Sequence, residues 1–253
     1  MTSSPHRSRG FSLVELICSM AIGSIILLAA AAMLGSYGAS CERVGGGVAT
    51  EREARALITR LTSDLSTARF HKDGILEKSS ATWPADRLGF LSLQPAQAQS
   101  DAGRIGDLCA VNYYIKDLSI GGKTVRCLMR GCRESIDTFK ALEDDKVSSL
   151  FMERNQTDEP VACGIVAFEA RPMTRDPAGK WVDWARNDLT GPAALEVCLI
   201  LARRDLAGKL KLPEDWDGAG TTARLLGNPS EAQNNSNLEV YSTLISFGNH
   251  ENP

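Results

Sequence analysis

The sequence predicts an α+β fold: a long N-terminal helix, membrane-spanning in its first part, packs on an antiparallel, β-rich C-terminal head. Three observations predict it. From Leu16 to Cys41 the chain runs for 26 residues without a charge, beyond the roughly 20 apolar residues that cross a bilayer. Ala54, Leu57, Ile58, Leu61, Leu65 and Ala68 then recur at i, i+3, i+4 spacing, the apolar stripe of a helix that covers something. After Lys72-Asp73-Gly74 the pattern changes to short runs rich in Val, Ile, Leu, Tyr and Phe, separated by turn residues.

Residues 11–41 read as a helix apolar on all sides, as a span requires. The triplet Gly45-Gly46-Gly47 predicts a bend or a melted stretch, because each interior glycine costs about 1 kcal/mol relative to alanine. Thr50-Glu51-Arg52-Glu53 has the form of a capping box that restarts the helix. Residues 42–72 form this amphipathic second half, and the downstream sheet is its expected partner. Unbroken, the two halves would extend roughly 80–90 Å at 1.5 Å per residue.

Strands are predicted over Arg87–Leu93, Leu108–Lys116, Lys123–Met129, Gly164–Arg171, Leu195–Ala202 and Leu238–Phe247. Gly121-Gly122 marks a tight hairpin between the second and third. Arg133–Met152 reads as helical, with Ile136, Phe139, Ala141 and Leu142 on its apolar face. Asp176-Pro177-Ala178-Gly179 is a turn. Residues 213–237, rich in Pro, Gly, Asn, Asp and Ser, predict a long surface loop.

Composition narrows the function. The 253 residues carry 28 basic and 31 acidic side chains, with no basic stripe, which argues against nucleic acid as a partner. No HExxH, G-x-S-x-G or glycine-rich phosphate loop is present, so the residues give no basis for an enzyme. His71 follows the amphipathic helix and is expected at that helix's C-terminal dipole. Asp215-Trp216-Asp217-Gly218 begins like a calcium loop, but Ala219 and Leu226 stand where later ligands belong, leaving a solvated acidic turn. No metal site and no cofactor is expected. Trp181 and Trp184 read as packing residues. Cys41, Cys109, Cys127, Cys132, Cys163 and Cys198 leave their pairing open. Cys127 and Cys132 are near enough in sequence to close a small loop, while Cys163 and Cys198 lie in apolar runs and read as free core thiols.

The N-terminus holds the most specific signal. Arg9-Gly10-Phe11-Ser12-Leu13-Val14-Glu15-Leu16 places one carboxylate inside the apolar run. Ionised groups in a span are expensive and mark sites with a partner. A secretory signal fits less well, since its apolar core is usually only about 7–15 residues long. A lipoprotein signal at Gly38-Ala39-Ser40-Cys41 lacks the aliphatic residue that Gly38 replaces. Glu15 has no role in either.

The octapeptide resembles the cleavage and methylation motif of type IV prepilins and type II secretion pseudopilins. The resemblance implies a leader at 1–10, a transmembrane helix at 11–41, an amphipathic stalk helix at 42–72 and a β-rich globular domain at 73–253. It also implies cleavage between Gly10 and Phe11, N-methylation of Phe11, and pairing of Glu15 with the Phe11 amine of an adjacent subunit. Without residues 1–10 the chain keeps 26 basic residues against 31 acidic, a net charge of −5.

The run from Glu51 to Leu65, Leu88–Phe90, Val111–Tyr114, Val125–Arg130, Ile165–Glu169, Trp181–Trp184 and Pro192–Val197 is similar in order to PilW-type minor pilins and type II secretion protein J. The implied partners are a prepilin peptidase/methyltransferase, other minor and major pilins or pseudopilins, an inner-membrane assembly platform and lipid. The implied location is the bacterial inner membrane, crossed once, with the head in the periplasm or on the cell surface in a filament. The competing class is a membrane-anchored binding module or adhesin that borrows the processing signal.

Overall fold

The computed structural model describes residues 13–69, 71–185, 191–220 and 222–247, with side chains other than those of 35–46 and 223. The chain divides into two compact units, 1–45 and 46–253. Helix α1 (Leu13–Ser66) supplies the described part of the first unit and the opening turns of the second.

In the first unit, Leu13–Leu34 is a 22-residue stretch of mean hydropathy 2.4, none of it buried by the protein. At 1.5 Å per residue it measures about 33 Å, the thickness of a bilayer's hydrocarbon core. Its hydroxyls are satisfied inside the helix, as lipid demands: Ser19 donates to the Leu16 carbonyl at 2.9 Å and Ser24 to the Met20 carbonyl at 2.8 Å.

The second unit is a two-sheet head. In chain order its elements are β1 (Ala68–Arg69), β2 (Ile75–Glu77), β3 (Arg87–Leu93), β4 (Leu108–Ile120), β5 (Lys123–Arg133), α2 (Ser135–Glu143), α3 (Val147–Met152), β6 (Glu159–Cys163), β7 (Ile165–Arg175), β8 (Trp181–Asp183), β9 (Ala194–Ala202), α4 (Arg204–Ala207), α5 (Pro213–Trp216), α6 (Ala223–Leu226) and β10 (Leu238–Ser246). The six-stranded sheet runs β1-β3-β4-β5-β6 with β2 beside β3, and the four-stranded sheet runs β10-β9-β7-β8. Every named strand pairing is antiparallel.

The amphipathic stripe forms as predicted. Ala54, Leu57, Leu61, Leu65 and Ala68 are fully buried, in one core with Phe90, Val111, Tyr113 and Leu128 of the larger sheet and Phe168, Leu195, Val197 and Leu199 of the smaller. The helix nevertheless ends at Ser66, short of 72. The Thr67 hydroxyl engages the Ser63 and Asp64 carbonyls and Ser92, while Ala68 and Arg69 pair with β3.

The glycine triplet melts nothing, for the backbone stays helical through 45–47, and Thr50 lies within α1 rather than starting a helix. Gly47 has a packing reason. A Cβ there would stand 2.7 Å from Arg203 Nη2, so the missing side chain admits the guanidinium.

Gly121 and Gly122 take φ of 59° and 76°, the paired positive angles of a type I′ hairpin joining β4 to β5. In α2 the inward face is Ser135, Thr138 and Ala141, and Ile136 is left exposed. The expected open loop at 213–237 is instead a folded cover. Its Trp216, Leu226 and Ala232 are buried with Leu206 and Leu210 against Val166 and Ile200 of the smaller sheet. Apolar anchors, spaced too irregularly for a periodic pattern, override its loop-like composition.

Two cysteine expectations are corrected. Cys127 bonds Cys163, its register partner across β5 and β6, with Cα atoms 4.1 Å apart. Cys163 is therefore not a free thiol, and Cys132 is not the partner of Cys127. Closing a loop of 36 residues stabilises by about 3–4 kcal/mol on the chain-entropy account. Replacing Cys163 by Ser in the detergent-solubilised full chain should lower its unfolding free energy by about 2–4 kcal/mol. Urea titration followed by tryptophan fluorescence measures this, and an unchanged midpoint would show that the bridge is dispensable.

Candidate functional site

The N-terminal candidates fall as follows. Gly10 and Phe11 lie outside the described residues. Glu15 sits in the first described turn of α1 and is exposed, like its apolar neighbours Leu13, Val14, Leu16 and Ile17. An exposed apolar surface on every side of Leu13–Leu34 is suited to lipid or to other apolar helices.

Within the head, strand alternation sends neighbouring tyrosines of β4 to opposite faces of the larger sheet. Each finds an aspartate held by an arginine of β5. On the inner face the Tyr113 hydroxyl donates to Asp64 at 2.6 Å, and Arg130 grips Asp64 through Nε at 2.6 Å and Nη2 at 3.1 Å. Gln94 donates to the same carboxylate at 3.1 Å and accepts from Arg130 at 3.0 Å. On the outer face Tyr114 donates to Asp158 at 2.7 Å, and Arg133 binds Asp158 at 2.6 and 3.2 Å.

Burial pushes Asp64 up, but the Arg130 hydrogen bonds and charge, helped by Tyr113 and Gln94, outweigh it and hold the carboxyl below its usual range. Asp158 behaves likewise under Arg133 and Tyr114. Burial first, and then the adjacent carboxylate, push Tyr113 well above its ordinary value, so it remains a donor. Asp64 lies on the last turns of α1, so its cluster locks the helix to the sheet. The sequence signal was there: a carboxylate between Leu61 and Leu65 on the apolar stripe.

The remaining candidates are structural. His71 lines the turn after β1, where Nδ1 accepts from the Asp73 N–H at 3.2 Å, rather than capping α1. Asp215 is buried, not solvated. Its carboxylate accepts from the Lys211 and Leu212 N–H groups and from the Thr222 hydroxyl, and the Thr222 bond chiefly holds it below the usual carboxylate range. Asp217 pairs with Arg126 at 2.7 Å. Among the described residues no group of three or more His, Cys, Asp or Glu is placed to hold a metal. Arg175 stacks over Trp181 at 4.6 Å. Trp184 borders an apolar cleft of about 510 Å³ with Leu88, Phe90, Leu195 and Phe247. The cleft's Lys78 and Arg171 are already engaged by Asp86 and Glu196, which leaves these cations little charge for a ligand.

Cys109 and Cys132 are free thiols near one another on the helix-facing side of the sheet. The neighbouring Cys109, opposed by burial and assisted by Arg130, brings Cys132 down to about 7, while Cys109 is pushed up.

A family profile described as the prokaryotic N-terminal methylation motif matches residues 5–31, a stretch that includes Gly10, Phe11 and Glu15. The motif supports a type IV pilin-like or pseudopilin-like exported protein, with processing by a prepilin peptidase and assembly with other pilins implied. The apolar helix beside it is consistent with membrane anchoring. No curated protein and no solved structure matches the chain.

Two outcomes test the clusters. Removing the Asp64 carboxylate charge as Asp64→Asn should cost about 3–5 kcal/mol by stranding Arg130. Because Asp64 and Asp158 have depressed folded values, their stabilisation is complete above the ordinary carboxylate range near pH 4 and drains away as pH falls through the folded values. Acid unfolding should therefore begin below about pH 4, and Asp64→Asn should flatten its slope. Separately, iodoacetamide should label Cys132 half-maximally near pH 7 and spare Cys109, whereas a profile rising only near 9 would remove the activated thiol.

Proposed function

We propose that the chain is a minor pilin or pseudopilin, a structural subunit that assembles into, initiates or caps a type IV pilus or a type II secretion pseudopilus. The observation that carries this reading is the methylation motif at 5–31 joined to an apolar helix with a single carboxylate at its head. In this reading a prepilin peptidase cuts after Gly10. Glycine there leaves the backbone open to close approach by a membrane protease. The new Phe11 amine is methylated and keeps its positive charge.

Glu15 of one subunit then pairs with the Phe11 amine of its neighbour. In lipid an unpaired carboxylate is costly and a paired one much less so, which selects one stagger between adjacent helices. Lateral packing of the Leu13–Leu34 surfaces drives assembly, and the head chooses neighbours. Arg7 and Arg9 hold the leader on the cytoplasmic side and place the head in the periplasm. The Cys127–Cys163 bridge supports that placement, because such bonds persist in oxidising compartments. PilW-type minor pilins and type II secretion protein J remain the subclass that the order of elements favours.

Mass spectrometry of the mature N-terminus should find a methylated Phe11, and a chain that starts at Cys41 or keeps its first ten residues in cells with an active peptidase would overturn the reading. Glu15→Ala should leave membrane insertion intact while reducing recovery with other pilins at least several-fold, as measured by co-purification from sheared filaments.

A further inference from the structure

We propose that Asn155 is the acceptor of an N-linked oligosaccharide, transferred from a polyprenyl-diphosphate carrier on the outer side of the membrane. The inference rests on the export that the methylation motif supports. The chain has three Asn-x-Ser/Thr runs, the tripeptide that such transfer requires. Asn228-Pro229-Ser230 is barred by its proline. Asn234-Asn235-Ser236 is locked into the cover: the Asn235 side-chain amide donates to the Leu225 and Leu226 carbonyls, and the Ser236 carbonyl accepts from Arg203. Asn155-Gln156-Thr157 is the run left open. Bacterial transferases of this class also select a carboxylate two residues before the acceptor, where this chain has Glu153. Ala232 holds the same place before Asn234.

The run occupies the turn between α3 and β6. Glu153, Arg154, Gln156 and Thr157 are exposed and Asn155 is half-buried. The Asp158 N–H donates to the Asn155 carbonyl at 3.3 Å, closing a four-residue turn with Gln156 and Thr157 at its tip. Among the described residues the Asn155 carboxamide and the Thr157 hydroxyl have no hydrogen-bond partner, and the backbone groups of Arg154, Gln156 and Thr157 have none either. A transferase can therefore reshape this tip without breaking a ladder or a helix. Both ends are fixed. The Glu153 carbonyl accepts from Asn112 at 2.8 Å and from Arg133 at 3.0 Å, while Asp158 is held by Arg133 and Tyr114. The Glu153 carboxylate meets Arg133 at 2.8 Å but is 46% exposed, so it stays open to a second cation.

In the transfer, Asn155 Nδ2 attacks the anomeric carbon of the carrier-linked sugar. The C–N bond forms as the C–O bond to the diphosphate breaks, and its electron pair leaves with the diphosphate. Nδ2 gives up one proton to a base of the transferase, and nothing is oxidised or reduced. An amide nitrogen shares its lone pair with the carbonyl and is a weak nucleophile, so the acceptor must be held firmly. The free Thr157 hydroxyl, two residues on, is the handle for that. The sugar then stands at the entry to β6, the margin of the six-stranded sheet. A bulky, hydrated group there shields an open strand edge.

The test expresses the full chain in bacteria that hold a polyprenyl-linked oligosaccharide and a membrane oligosaccharyltransferase, with a known acceptor protein as control. Cleavage after lysine separates Val147–Lys180 from Leu212–Pro253, and mass spectrometry reads each peptide. The first should carry the oligosaccharide mass and the second should not. Asn155→Gln and Thr157→Ala should abolish the modification, Thr157→Ser should keep it, and Glu153→Gln should lower it at least five-fold while Glu153→Asp restores it. The Cys127–Cys163 bridge in the same sample reports that the head left the cytoplasm, and the mature N-terminus reports processing. A bare Asn155 beside an intact bridge would overturn this proposal alone. A bare Asn155 with a reduced Cys127 would overturn it together with export. Modification that survives Thr157→Ala, or that falls on Asn234 instead, would also overturn it. A modified Asn155 on a chain that keeps residues 1–10 would uphold it while the pilin reading fails.

Discussion

The head depends on one buried ion pair, Asp64 with Arg130, at the point where the last turns of α1 meet the larger sheet. Apolar contact alone lets a helix slide or rotate on a sheet, because burial is non-directional. A carboxylate that receives two bonds from one guanidinium, one from Tyr113 and one from Gln94 has only one acceptable position. Such a pair adds little net stability over well-packed hydrocarbon, yet is very costly to half-break. Its role is registry. The Thr67–Ser92 contact and the bond from the Ser92 hydroxyl to the Asp64 carbonyl lie beside it and fix where the helix stops.

The outer face repeats the device with Tyr114, Asp158 and Arg133, which tie the segment before β6 to β4 and β5. Arg126 performs a third version, bridging Asp117 of the neighbouring strand and Asp217 of the cover. Three arginines of one strand thus orient three separate parts of the head: helix, β6 approach and cover. The apolar layers supply cohesion, and these arginines select one arrangement.

Much of this architecture was legible in the residues. Arg87–Leu93 has the same bounds in sequence and structure, and the stripe from Ala54 to Ala68 is buried at every position but the half-buried Ile58. Long strands and amphipathic helices repeat a period, and a period can be read. β1, β2 and β8 are too short to show one. The partner of Cys127 depended on the register between β5 and β6, which no local pattern encodes. Glycines at 45–47 pointed to a break because propensity was weighed without the packing that holds Gly47 against Arg203. At the candidate site the octapeptide made Gly10, Phe11 and Glu15 stand out, whereas the roles of Arg126, Arg130 and Arg133 required knowing which face each side chain takes.

The folded cover at 206–235 also has a mechanical meaning. Its Trp216 is buried against the smaller sheet, while the indole N–H donates to the Thr124 carbonyl of the larger one, and the Thr124 N–H donates back to the Lys211 carbonyl. One clasp thus holds both layers from outside. A tug applied to either layer is shared with the other before the interior is exposed, so the head resists being peeled open under tension.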